Sequence, residues 1–390
     1  MGKSTFLRRL SWGMSAFGTG VLFPADLKNE HGALVRMLGG EHIEVGIGMH
    51  KINLLDAGPL KAVLHQVDAA TRDRLERGIQ SRALWLAEGA MQIADQGQRL
   101  SPTDKLAFAV AYELFRDRNK QALDPTMPDL LRILRELPSE VAHALLVDAG
   151  DKKELRDLIR PVTVRIELLL PGELAGLFDG PLTFSLGPEI PAMSLDLSRI
   201  ENQGSDAAVA IAMLASWGWS AALIDAGQAT GKRRNWLQNF DEHWRVMRAG
   251  PGMVELSDRV TRLNRHRGVQ STMATHSLDD FEALPTPEDR AKARGMVSRC
   301  AVKVIAAQPR EELEKLSAIS PLCNQEQDWV ESWAAPPTWT PGQQHPGRGR
   351  YLIKTGRRIG LPVQMTLLPE ERSINDTDQA WHVTDELVSR

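Results

Sequence analysis

Hydrophobic positions change period twice along the chain, and the changes divide it into parts. Residues 4–16 put Phe6, Leu7, Leu10 and Met14 on one face at helical spacing, which predicts an amphipathic helix. Residues 20–26, Gly-Val-Leu-Phe-Pro-Ala-Asp, read as a short buried strand ending in an acid, and residues 41–45 as a second strand after the Gly39-Gly40 turn. Residues 46–56 read as loop. Beyond Gly58 the pattern becomes helical throughout, with helices expected over 60–79, 83–96, 102–118, 128–137 and 139–149. Ser101-Pro102-Thr103-Asp104 supplies an N-cap with proline at the first helical position, and Pro138 ends the fourth of these helices. Strand patterns return at 162–169, 182–186 and 192–197. A long apolar helix at 205–224, a loop at 225–234 and a strand at 236–240 follow. Then come a helix at 253–265, a strand at 269–274, a helix at 287–297 and a strand at 301–306. The Pro-, Gly- and Trp-rich stretch 333–349 reads as loop, and 350–354 with 362–367 as a closing hairpin.

Alternation of strands and helices on both sides of a helical block predicts an α/β protein with a parallel-rich sheet and an inserted all-α lobe. The expected division is 1–58 for the first part of the core, 59–165 for the helical insertion, 166–370 for the remainder of the core and 371–390 for a C-terminal tail. Both core parts are expected to share one sheet, with the lobe projecting from it.

Composition narrows the picture only slightly. The 390 residues are 42% hydrophobic and 25% charged, ordinary values for a globular chain, and a net charge of −3 argues against a protein that coats nucleic acid with a broad basic surface. The two cysteines, Cys300 and Cys323, are far apart and form no C-x-x-C, and the ten histidines are scattered without metal-ligand spacing, so neither a disulfide framework nor a zinc site is indicated. With no apolar run read as reaching the ~18 residues of a membrane span, the expectation is a soluble, intracellular protein.

Candidate chemistry begins at the second residue. Gly2-Lys3-Ser4-Thr5 matches the back half of the phosphate-binding pattern G-x-x-x-x-G-K-[ST], in which backbone N–H groups cradle phosphates, the lysine reaches the β/γ-phosphates and the hydroxyl holds Mg²⁺. The helix that should follow is predicted, while the front half of the pattern is absent. The chain therefore reads as the C-terminal part of a nucleotide triphosphatase, cut within its own loop. Asp241-Glu242, at the end of the 236–240 strand, offers one carboxylate for a metal and one to orient attacking water. The same pair also fits a solvated acidic turn opening a helix. Thr275-His276-Ser277 ends the next strand, where an imidazole can sense the γ-phosphate or position water, and where Ser277 can simply cap a helix beginning Asp279-Asp280. Arg259, Arg262, Arg265 and Arg267 form either a solvated face or a source of arginine for a neighbouring subunit's site. Gly227–Lys232 imitates a phosphate loop but is one spacer short and is followed by Arg233.

These residues in this order resemble the HerA–FtsK branch of RecA-like P-loop ATPases. Within it, the chain is most similar to the conjugative-transfer ATPases of type IV secretion systems, the TraC/TraG-like group. The likeness runs through Gly-Lys-Ser-Thr, Asp26-x-Lys28-x-Glu30, Asn53-Leu54-Leu55-Asp56, Asp179-Gly180-Pro181, Ser194–Ser198, Asp241–Trp244, Arg267-Gly268-Val269 and Gly349–Lys354. The resemblance implies a RecA-like core that binds ATP and Mg²⁺, assembles as a homo-hexamer and drives DNA or protein transfer. It also implies partnership with type IV secretion channel proteins, DNA as a further partner, and a cytoplasmic location peripheral to the inner face of the cell membrane. By the same match Gly2, Lys3, Ser4, Thr5 and Asp26 bind nucleotide, and Ser4 and Asp241 hold Mg²⁺. Glu242, His276, Arg265 and Arg267 then serve catalysis, His276 standing where relatives carry Gln. Two alternatives remain open: a remnant that no longer hydrolyses ATP and acts as an interaction module, and a HerA/FtsK-type DNA translocase.

Overall fold

The computed structural model describes residues 2–119, 124–231, 234–249, 253–262, 267–334 and 345–375. Helix α1 (Lys3–Ser15) leads into β1 (Gly20–Asp26), α2 (Gly32–Met37) and β2 (Glu41–Glu44). The chain then leaves the sheet for six consecutive helices: α3 (Pro59–Val63), α4 (Ala69–Ala94), α5 (Pro102–Arg118), α6 (Met127–Arg135), α7 (Ser139–Ala144) and α8 (Lys152–Glu167). It returns with β3 (Ala192–Asp196), α9 (Ser198–Gln203), α10 (Asp206–Ala229), β4 (Trp236–Phe240), α11 (Trp244–Arg248), α12 (Met253–Arg262) and β5 (Val269–Met273). These five strands form a wholly parallel sheet in the order β2-β3-β1-β4-β5.

The core follows from what β1 buries. All seven of its residues are buried, as expected of a central parallel strand covered on both faces. Val21 and Phe23 pack with Leu7 of α1 and Leu34 and Val35 of α2, whereas Leu22 joins the larger core around α10 on the opposite face. Helix α10 is long and apolar enough to cross a membrane by length and composition, so the reading that no run reaches that length is corrected. Most of that helix is buried against α3, α4 and β1, which accounts for an apolar character on all sides. It also absorbs the first half of the loop expected at 225–234, and the imitation phosphate loop lies partly in its last turn, with Gly227 buried.

The helical excursion does not part the strands. Residues that flank it in sequence pair directly, Glu44 with Asp196 and His42 with Ser194. The lobe stacks on α10 through α4, so its core is continuous with that of the sheet. Ser101 and Asp104 form the expected cap of α5, and an equivalent box at Thr126 and Asp129 opens α6.

Three expectations are corrected. Residues 162–169 are not a strand: Leu155, Ile159, Val162 and Ile166 are buried at helical spacing on α8, which carries Pro161 inside it. The alternation Val162-x-Val164-x-Ile166 imitates a strand, and Pro161 just before it is a residue that ordinarily interrupts a helix. Residues 182–186 form no strand; Leu182, Phe184 and Leu186 are half-buried loop residues against the core. Finally, the core does not lie in a single sheet: its last strands leave the parallel sheet that both core parts share. After α13 (Asp279–Glu282) and α14 (Pro287–Arg299), β6 (Val302–Ile305) pairs antiparallel with β7 (Arg350–Thr355), which pairs with β8 (Leu361–Gln364) in a second sheet. The hairpin was anticipated; the recruitment of β6 to it was not. Helices α15 (Arg310–Ile319) and α16 (Asn324–Trp333) pack on this sheet, and α17 (Pro369–Asn375) returns to α1, where Asn375 Oδ1 accepts from Arg8 Nε at 2.8 Å.

Candidate nucleotide site

Parallel strands gather their carboxyl ends on one edge of a sheet, where ligands bind in α/β folds. Here that edge carries Glu44, Asp196, Asp26 and Asp241 at the ends of β2, β3, β1 and β4. The start of α1 meets the edge beside Asp241. Gly2 adopts a left-handed conformation (φ 95°), and its carbonyl accepts hydrogen bonds from Phe6 N at 2.9 Å and the Tyr351 hydroxyl at 2.7 Å. A Cβ on Gly2 would lie 2.5 Å from that hydroxyl. Ser4 and Thr5 are half-buried on the first turn of α1.

The Lys3 ammonium is buried and has no hydrogen-bond partner. Desolvation lowers its pKa, opposed by the charges of Glu242 and Asp241, so the three groups share one electrostatic environment. Burial raises the pKa of Asp241, against the influence of His31 and Lys3. His31 is itself buried, stacked on Phe23 with ring centroids 3.9 Å apart, and its Nε2 lies 4.0 Å from Asp241 Oδ2. Burial pushes the pKa of His31 down to about 4, so it faces Asp241 as a neutral ring.

Glu242 stands at φ 51°, a left-handed backbone that turns its carboxylate back over the edge. Trp244 Nε1 donates to Oε2 at 2.7 Å, His276 Nε2 meets Oε1 at 2.8 Å, and Lys28 Nζ lies 3.5 Å from Oε1. Burial alone would raise this pKa, but the hydrogen bonds from His276 and Trp244 and the charges of His276 and Lys3 outweigh it and hold the pKa below the ordinary value. The unusual polarity of β4 also has a cause. Asn239, fully buried, donates to Ser11 Oγ of α1 at 3.1 Å and accepts from Thr272 Oγ1 of β5 at 2.5 Å, fastening α1 to the strand that carries the acids.

Lys3, Asp241, Glu242 and His276 are therefore brought together as the sequence suggested. Asp26 is used differently. Its Oδ1 accepts from the backbone of Lys28 and Glu30 and its Oδ2 from that of His31, so the carboxylate shapes the turn that presents Lys28 and His31. Arg267 lies away from the site in its own chain. It precedes β5, at the amino end of the sheet, and its guanidinium bonds Asp225 and the Ala221 carbonyl of α10. The five residues of β5, at roughly 3.3 Å each, separate it from the edge bearing Glu242. Arg265 lies outside the described residues. Sequence reasoning missed His31, Trp244 and Tyr351 as partners of the site; the glycine-capping role of Tyr351 left no local signal, lying 349 positions from Gly2.

An orphaned buried ammonium is the feature an anionic ligand would satisfy, and the first turn of α1 adds backbone N–H donors. The donors fit a nucleotide phosphate, and Ser4 with Asp241 are of the oxygen type that Mg²⁺ takes.

The sequence matches no protein-family model and no curated protein. Solved structures do match. VirB4 of Thermoanaerobacter pseudethanolicus aligns over 95% of this chain and 88% of its own, with a TM-score of 0.70 and 16% identity. The bacterial conjugative coupling protein TrwB, in unbound form, aligns over 94% of this chain and 83% of its own, with a TM-score of 0.53 and 11% identity. TrwB in complex with the non-hydrolysable ATP analogue ADPNP gives a TM-score of 0.53 at 12% identity over 94% of this chain and 83% of its own. The fold that the sequence resemblance implies is thus found: this chain has the α/β architecture of VirB4 and TrwB.

Proposed function

We propose that this chain binds ATP with Mg²⁺ at the carboxyl edge of its parallel sheet and acts as a motor ATPase of conjugative DNA transfer or type IV secretion. The observation that carries the reading is the buried, unpartnered Lys3 ammonium facing Asp241 and Glu242. TrwB, which shares the fold, has been solved with ATP and GTP analogues. In this reading Lys3 and the N–H groups of the first turn of α1 bind the β/γ-phosphates, and Ser4 and Asp241 hold Mg²⁺. The bound metal–nucleotide supplies a phosphoryl group whose charge is partly neutralised. Glu242 orients a water and accepts its hydrogen bond, and His276 and Trp244 fix the rotamer of Glu242. A homo-hexamer would let Arg265 or Arg267 serve a neighbouring site, and docking to channel proteins would place the assembly at the inner face of the membrane. DNA is the proposed substrate.

The second reading, a nucleotide-binding module that does not hydrolyse, draws on the same carboxylate. Both oxygens of Glu242 are already engaged, and its lowered pKa makes it a weak base. Titration with a fluorescent ATP analogue and Mg²⁺, followed by phosphate release, separates the two. Saturable binding weakened about tenfold or more by Lys3→Ala supports the site, because a hydrogen bond to a charged group is worth about 1.5–3 kcal/mol. Phosphate release that depends on Glu242 selects the motor, and binding without release selects the module. Binding indifferent to Lys3→Ala would remove the nucleotide site altogether.

A further inference from the structure

We propose that the opposite end of the same sheet edge is a binding site for a divalent transition metal, held by His42, Glu44 and Asp196. The proposal is independent of the nucleotide reading. Its geometry comes from strand register. His42 and Glu44 alternate on β2 and so share one face; Ser194 and Asp196 lie directly opposite them on β3. The result is a two-by-two block of polar side chains, with ligand atoms of His42, Glu44 and Asp196 all within 4.8 Å of one another.

Two contacts fix the imidazole for this role. Nδ1 of His42 is held by Ser194 Oγ at 2.7 Å, which leaves Nε2 aimed at the carboxylates. Gly32 of α2 lies against the ring, where a Cβ would come within 2.8 Å of Nδ1 and Cε1, so a side chain there would displace it. A metal-bound histidine ordinarily has its second nitrogen held in this way. Asp196 is equally constrained: it is buried, and its Oδ1 accepts from Ser198 N at 2.8 Å, leaving Oδ2 for the site.

The separation between the fixed ligands is informative. His42 Nε2 lies 3.6 Å from Asp196 Oδ2, longer than the hydrogen bond these groups would otherwise make. It is close to the ~3.4 Å that separates two ligands bound at ~2.1 Å to one tetrahedral ion. Glu44 is half-exposed and only loosely paired, its Oε2 lying 3.8 Å from Arg199 Nε, so it can swing in as third ligand. One imidazole with two carboxylates suits Zn²⁺ or a similar transition metal, while Mg²⁺ prefers all-oxygen shells. Because β2 pairs only with β3 within this sheet, a bound ion would pin the edge strand to its neighbour.

The site is tested on the full chain without an affinity tag, stripped with chelator and titrated with ZnCl₂ by calorimetry and thermal unfolding. The expected result is one Zn²⁺ per chain with micromolar or tighter affinity and a rise in Tm of several degrees. Mg²⁺ at the same concentration should give neither. His42→Ala and Glu44→Gln should each weaken binding more than tenfold, and Glu44→Gln, at a half-exposed position, keeps the test decisive should Asp196→Asn fail to fold. Ser194→Ala should weaken it less, through loss of ring orientation. Absence of saturable binding, or binding that survives His42→Ala and Glu44→Gln but disappears when Cys300 and Cys323 are changed to Ser, would overturn the assignment.

Discussion

The helical lobe and the carboxyl edge of the sheet solve opposite problems within one continuous core. In the lobe, Phe108, Leu130, Leu134, Leu155 and Ile159 are almost wholly buried, and α4, α5, α6 and α8 each open on a side-chain N-cap. Its stability comes from apolar area and caps, both local in sequence. At the edge, Lys3, His31, Asp26, Asp241 and Glu242 are buried or half-buried polar groups; His31, Asp241 and Glu242 meet charges from distant segments, while Asp26 is satisfied by its own turn. Buried polar groups without partners are costly, so the edge keeps Lys3 unpartnered at the expense of stability. In the lobe, a buried polar group such as Asp104 finds its partners, Ser101 and Arg165, within the lobe itself, whereas the edge leaves a buried cation open.

The sharpest test of that division is a crossed pair of substitutions. Glu242→Gln should reduce ATP hydrolysis about 10³-fold, equivalent to about 4 kcal/mol of activation free energy, because an amide cannot accept a proton from water. Its unfolding midpoint should change little and nucleotide should still bind. Leu130→Ala, on α6, should instead cost about 3 kcal/mol of folding stability, since it removes buried methyl groups and leaves a cavity. Nucleotide affinity of the fraction that remains folded should be unchanged. Urea unfolding and phosphate-release assays on both variants decide the matter: if Leu130→Ala alters hydrolysis per folded molecule as strongly as Glu242→Gln does, lobe and edge are one mechanical unit.

Proton linkage sharpens the same contrast. His31 titrates near 6.5 when unfolded, but burial lowers this to about 4 in the folded protein. Between those values the unfolded chain binds a proton that the folded chain does not, so stability falls as pH drops from 6.5 to 4. At about 1.4 kcal/mol per pKa unit, the loss attributable to His31 is about 3 kcal/mol. The raised carboxyls of Asp26 and Asp241 act in the opposite sense, since they take up protons more readily when folded. Comparing chemical unfolding of the wild type with His31→Phe, which preserves stacking on Phe23, isolates the histidine. The wild type should lose about 3 kcal/mol more than the variant across that window. Parallel losses would mean that His31 is not held neutral beside Asp241.

How much of this was legible follows from the same difference in range. Residues 102–118 and 236–240 were read from periodicity and caps with the bounds they have in α5 and β4. The Gly-Lys-Ser-Thr and Asp-Glu segments pointed to the edge because the chemistry of phosphate binding imposes a short pattern. What escaped was either disguised or distant. A strand-like alternation just after Pro161 disguised α8, and proline ordinarily interrupts a helix. The pairing of β6 with β7 joins Ile305 to Leu352, and no local feature encodes such a register. His31, Trp244 and Tyr351 became partners of the site only through the fold, although the turn set by Asp26 lies in plain sequence.

Tyr351 offers the finest probe of how the second sheet bears on the edge. Its hydroxyl donates to the Gly2 carbonyl at 2.7 Å, and its ring lies 5.1 Å from that of Phe6. Burial pushes its pKa up to about 12, so it remains a donor throughout the physiological range. Tyr351→Phe keeps the ring contact and deletes only the donor, a change worth about 1 kcal/mol. If the bond serves to hold Gly2 at its left-handed φ and thereby aim the first turn of α1, the loss should appear as roughly fivefold weaker nucleotide binding. A packing role alone would lower the unfolding midpoint and leave affinity unchanged. Measuring both quantities on one preparation, with and without Mg²⁺-nucleotide, therefore tells whether the antiparallel sheet merely abuts the phosphate-binding turn or sets its conformation.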